Sequence, residues 1–240
     1  MKGHNIKELL MPNRDTVKYI AVIAMVIDHI AYMFMPSSSI VYIMMRFAGR
    51  VTGPAMAYFI AEGYRYTRSR RKYIIRLITC AAISWIPSSL FKYGAITVSF
   101  GAVYSLLLGL VAICVWDNKK KKGILKPMLI STVVLLSYFG DWAIYSVIWC
   151  LVFHMFRETA MKKWTAYCMT GVIYCIESFY VAPVTVPAAA GVFLVPLLIE
   201  CFYTSKQLCG SRKHRRFFYV FYPVHFLVLI LIKYLTSGLM

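Results

Sequence analysis

The stretch VKYIAVIAMVIDHIAYMFM, residues 17–35, decides the fold. Apart from Lys18 and the pair Asp28-His29, every residue in it is apolar or aromatic. A helix rises about 1.5 Å per residue, so a run of this length covers the roughly 30 Å hydrocarbon core of a bilayer. Working outward, the rest of the chain repeats this character. Apolar types make up 60% of the 240 residues and charged types 15%, against about 45–50% and 25% in soluble domains. Mean hydropathy is +0.67. These values exclude a soluble globule, a disordered chain, a collagen-like chain and a disulfide scaffold.

Nine apolar runs are long enough to be membrane helices, at about 17–35, 40–62, 73–91, 98–116, 127–140, 142–157, 163–180, 187–204 and 217–236. The fifth and sixth are short and meet at Gly140-Asp141, which suits a tight hairpin or one broken element. The loops are short, so residues 1–240 read as a single polytopic domain. The fold expected is all-α and integral to the membrane. No cleavable signal pattern is expected at the N-terminus, where Glu8 and Asp15 interrupt the basic region. The seven cysteines show no CxxC and sit mostly inside apolar runs, so they read as buried apolar residues.

Net charge is +18. Of the 27 basic residues, 23 fall in the N-terminal segment and in alternate loops at about 65–76, 119–126, 157–163 and 206–216. The intervening loops carry only Lys92, and the C-terminal end only Lys233. This is the positive-inside pattern for a cytoplasmic N-terminus and an outer C-terminus. The basic excess is therefore topological, and no nucleic-acid partner is expected.

Ionisable groups at membrane depth cost at least ~2.5–3.5 kcal/mol each, which makes them functional candidates. Asp28 and His29 lie just outward of the middle of the first run, and Arg46 and Arg50 fall at similar depth in the second. Arg46, Arg50 and Gly53 share one face of a continuous helix, with Gly49 beside it. Asp28 can neutralise one arginine. His29 lies about 100° around the helix from Asp28 and faces a different neighbour. Glu177, His225, His154 and Asp141 are further candidates. His225 follows Tyr222-Pro223, where a histidine can serve a helix-kink hydrogen bond.

No GxSxG, HExxH, P-loop or GxGxxG motif is present, and Asp28 with His29 is too small a set for a metal site. A buried histidine among arginines suits proton abstraction with oxyanion or phosphate stabilisation. Acyl transfer fits that chemistry. A transporter or anion channel with a charged midplane fits the same charges, as does a non-catalytic assembly factor whose charges lock helices.

The chain resembles the TraX family of membrane proteins, named for a conjugation protein that acetylates the pilin N-terminus. The resemblance rests on Met25-Val26-Ile27-Asp28-His29, on Gly49-Arg50 with Pro54 and Glu62-Gly63, and on Tyr73-Ile74-Ile75-Arg76-Leu77 with Ser84 and Pro87. It also rests on Gly140-Asp141-Trp142 and on FFYVFYPVHFL at 217–227. The chain departs from the family where an aromatic usually precedes the proline of the second run, at Gly53. It departs again where glycines usually follow the aspartate-aromatic turn, at Ala143 and Ser146. TraX-like proteins are similar to a wider set of transmembrane acyltransferases.

The resemblance implies a donor, acetyl-CoA or another acyl-CoA, entering from the cytosol. It implies an intramembrane histidine, here His29, and an outer-face acceptor: a peptide amine, a glycan or a small molecule. It also implies a bacterial cell membrane. On this reading His29 is a general base or is transiently acylated. Asp28 orients a partner or balances Arg50, and Arg46 and Arg50 stabilise an oxyanion or a donor phosphate. Arg68, Arg71 and Arg76 are expected to bind the CoA phosphates, with Glu177, His225 and Asp141 as further site candidates.

Overall fold

The structure is a computed structural model that describes residues 14–119, 123–202 and 212–237. Lys2, Lys7, Glu8, Lys120, Lys121, Lys122, Lys206 and Cys209 lie outside the described residues. Among the described residues every regular element is helical. In chain order the helices are α1 (Arg14–Phe34), α2 (Ile40–Gly49), α3 (Thr52–Tyr66), α4 (Arg70–Tyr93) and α5 (Ala102–Trp116). There follow α6 (Leu125–Leu136), α7 (Ala143–Met155), α8 (Ala160–Val181), α9 (Val186–Ala189), α10 (Leu194–Phe202) and α11 (Arg212–Ser237). Among the described residues, four segments are long and apolar enough to cross a membrane: Asp15–Phe34, Arg70–Tyr93, Pro183–Phe202 and Phe217–Thr236. Shorter apolar helices stand between them, so the chain is a multi-pass membrane protein.

The second run is not one helix as expected. It breaks at Arg50-Val51 into α2 and α3. Pro54 is the cause. It has no N–H to give the carbonyl of residue 50, and its ring crowds that carbonyl, so it is tolerated only in the first turn of a new helix. The run at 187–204 is also not straight. Pro183, Pro187 and Pro196 leave 3-10 turns at Pro183–Thr185 and Ala190–Phe193 around the short α9. The hairpin reading of 127–157 holds: α6 ends in a 3-10 turn, Ser137–Phe139, and packs on α7.

The site is positioned by α3, α1, α4 and α11. In α3, Ala55, Ala57 and Ala61 are buried, and small side chains let α5, α7 and α1 approach it closely. That is how helices associate where lipid supplies no hydrophobic drive. α4 starts on Ser69, whose hydroxyl accepts from the Lys72 N–H at 3.3 Å, and ends at Gly94 with φ +68°. α11 packs on α4 and α1. Pro223 withholds an N–H from the Tyr219 carbonyl, and the Cys80 thiol of α4 donates to that carbonyl at 3.7 Å.

Candidate active site

Asp28 lies between two arginines. Arg46 Nη1 donates to Asp28 Oδ2 at 2.5 Å, and Arg50 Nη2 to Asp28 Oδ1 at 3.3 Å. Arg46 and Arg50 keep helical i, i+4 spacing, the Arg50 N–H donating to the Arg46 carbonyl at 3.0 Å, so both reach the carboxylate of the buried Asp28. Gly49 makes this possible, because a Cβ there would stand 2.2 Å from the Asp28 Cβ. Arg50 Nη1 also donates to the Tyr174 hydroxyl at 3.4 Å, and its guanidinium lies 5.3 Å from the Trp142 ring. Trp142 fits only because position 53 is glycine: a Cβ there would meet the indole at 2.2 Å. Both glycines thus make room for side chains of this same chain.

His29 faces away from that cluster, as its offset from Asp28 requires. Its Nδ1 is 2.9 Å from His225 Nε2 on α11. His225 Nδ1 is 3.2 Å from the Phe221 carbonyl. Phe91 and Phe226 pack against the His29 ring with centroids at 5.2 and 5.0 Å. Lys92, Arg46 and Arg50 are close enough to bear electrostatically on it. His225 thus bonds a carbonyl one turn back, while the one that Pro223 frees, on Tyr219, is taken by Cys80; the contact to His29 is added to it.

The remaining candidates divide. Asp141 is ion-paired with Lys92, beside the histidine pair. Glu177 is exposed and accepts a hydrogen bond from the Tyr145 hydroxyl, whose ring packs on Tyr174. His154 lies apart, at the basic end, 2.9 Å from Asp117 Oδ1. Lys92, Trp142 and Tyr174 are neighbours of the site that sequence reasoning left aside. Lys92 is the sole basic residue of the intervening loops, and that is its signal in the sequence.

A cavity of about 340 Å³ stops one helical turn short of this place, with neither histidine in its lining. Lys18, Tyr66, Thr67 and Arg76 line it at the basic end, and Met25, Gly53, Trp142, Phe221 and Tyr222 line it deeper in. Met25 is one turn before His29, and Phe221 one turn before His225. Arg76 is thus the one of the three expected phosphate ligands that lines the cavity; Arg68 and Arg71 are exposed and do not.

The family model for the TraX protein matches residues 13–233. A relative from Dichelobacter nodosus, named "Probable fimbrial assembly protein FimC, serogroup H1", is 32% identical over 231 residues, covering 89% of this chain and 92% of the relative. No solved structure matches.

Proposed function

The chain belongs to the TraX family, and from that membership we propose that it is a membrane-embedded acyltransferase. It moves an acetyl or other acyl group from acyl-CoA to an acceptor amine or hydroxyl at the opposite face. The observation that carries this reading is a mostly apolar cavity that begins at two cations, Lys18 and Arg76, and ends one turn short of His29 and His225. Its volume falls in the ~300–1,000 Å³ range of small-molecule sites. An acyl-pantetheine arm fits such a cavity, with the donor phosphates outside on the basic end. We assign that end to the cytoplasm and the chain to nine membrane passes in the cell membrane, on the charge pattern of the loops.

In the reaction the acceptor N–H or O–H proton passes to His29 as the acceptor attacks the thioester carbonyl. The C–S bond then breaks, and the CoA thiolate takes the proton from the imidazolium. Arg50 and Arg46, both held by Asp28, keep positive charge within electrostatic reach of His29 and favour the developing oxyanion. Their fixed geometry supports pre-organised electrostatics rather than a mobile ion path, which sets this reading above a transporter.

Filling the cavity tests the donor assignment. Met56 lines it, and Met56→Trp is expected to abolish acetyl-CoA binding in calorimetric titration while the protein stays folded. Equal binding by parent and variant removes the cavity from the account. The name of the relative favours a second reading, a non-catalytic role in fimbrial assembly. Absence of acyl-CoA binding by the folded parent would favour that second reading.

A further inference from the structure

The histidine pair has a polarity that its distances determine. A carbonyl oxygen only accepts, so the 3.2 Å contact to Phe221 requires a proton on His225 Nδ1. A neutral imidazole has one N–H, which leaves His225 Nε2 as a bare acceptor. Its partner at 2.9 Å is His29 Nδ1, which must then carry its own proton. His29 Nε2 is left with its lone pair. The other neutral assignments fail locally. A proton on His29 Nε2 instead would put two nitrogen lone pairs face to face at 2.9 Å. A proton moved to His225 Nε2 would turn a lone pair on the Phe221 oxygen at 3.2 Å.

The rings are also held against rotation. His225 is stacked on Phe221 at 5° with centroids 5.6 Å apart. Phe226 packs against both imidazoles, with centroids 5.0 Å from His29 and 4.0 Å from His225.

We propose that His225 is the positioning residue of this site: through the Phe221 carbonyl it fixes His29 in the Nδ1–H form and presents His29 Nε2 as the proton acceptor. The purpose of this arrangement rests on the acyltransferase reading; the hydrogen-bond polarity does not. In the transfer the acceptor X–H bond breaks and an Nε2–H bond forms. The Nδ1–H bond to His225 persists throughout, so the imidazolium keeps a partner. The charged groups that bear on the ring electrostatically are Lys92 from α4, Arg46 from α2 and Arg50 at its end, the two arginines being bonded to Asp28 on the side of α1 turned away from His29.

The test is nitrogen NMR of the full chain in detergent with ring-labelled histidine, the His29 signals being assigned by their loss in His29→Gln. The parent is expected to show a protonated Nδ1 and a bare Nε2 at His29. His225→Phe keeps the ring packing and removes the acceptor, and the His29 proton is expected to leave Nδ1 for Nε2. His225→Gln offers an amide oxygen to the Nδ1–H and is expected to restore the parent pattern. In turnover, His225→Phe is expected to lower kcat about 10²-fold, the usual scale of a misplaced general base. Donor KM stays unchanged, and His225→Gln recovers much of the loss.

A parent spectrum with the proton on Nε2 overturns the proposal, and so does a His225→Phe spectrum like the parent's. The parent spectrum decides even if a variant fails to fold. The expected spectrum from a parent that transfers no acyl group supports the positioning and overturns the acyltransferase reading alone.

Discussion

Asp28→Asn keeps the shape of the side chain and removes its charge. Arg46 and Arg50 are then left one turn apart with their charges uncompensated, in side chains 18% and 15% exposed. Removing one partner of a buried ion pair costs about 3–5 kcal/mol. Partial exposure lowers that figure and the second stranded cation raises it, so we expect a loss of about 3 kcal/mol. Arg46→Gln removes one cation and leaves Asp28 paired with Arg50. It is expected to cost about 1.5 kcal/mol, the scale of a hydrogen bond to a charged group. Independent effects would sum to about 4.5 kcal/mol in the double variant. The two groups share one carboxylate, and Arg46→Gln also relieves the repulsion that Asp28→Asn creates. The double variant is therefore expected to lose only about 3 kcal/mol, a coupling of about 1.5 kcal/mol. The assay is equilibrium unfolding of the four proteins in mixed micelles, followed by tryptophan fluorescence. A double-variant loss at the full sum would refute the shared-carboxylate reasoning.

Ala143 has φ +37° at the turn into α7, a region that costs a non-glycine residue about 1–2 kcal/mol. Ala143→Gly should raise Tm; an unchanged or lower Tm would show that the turn is unstrained. Arg76→Glu should weaken acetyl-CoA binding at low salt far more than Arg71→Glu, because only Arg76 lines the cavity; equal effects in titration calorimetry would count against the donor path. At the basic end, burial works to raise the Asp117 pKa, but the hydrogen bond and charge of His154 outweigh it and hold the carboxyl below its usual value. A lowered folded pKa gives stability that is present above the unfolded value of about 3.9 and is lost as pH falls through the folded one. The parent's Tm should therefore fall more steeply than that of Asp117→Asn as pH falls below about 4; parallel curves would remove this pair from the acid response.

Much of the site was legible because membrane depth is a one-dimensional property. The positions of Asp28, Arg46 and Arg50 along their runs placed them at one level, and the structure brings the three side chains together. The offset between Asp28 and His29 likewise turned the two to different neighbours. What was not legible is which helices pair. His29 and His225 are 196 residues apart, and nothing in the periodicity of either run says that α1 meets α11. The same holds for Lys92 with Asp141. Trp142 occupies the space that Gly53 leaves, and only the packing of α7 on α3 reveals it. The break in the second run had a local signal in Pro54, but hydropathy counts the proline as one more tolerable residue. Glu177 lies on an exposed face of α8, since an apolar run does not fix the rotation of its helix.

The most direct test of the central claim is release of free thiol from acetyl-CoA by the purified protein in detergent, with His29→Ala measured alongside and donor binding followed by calorimetry. The account predicts that both proteins bind the donor and that only the parent releases thiol. Thiol release by His29→Ala at the parent's rate, or a folded parent that binds neither acetyl-CoA nor longer acyl-CoAs, would contradict it.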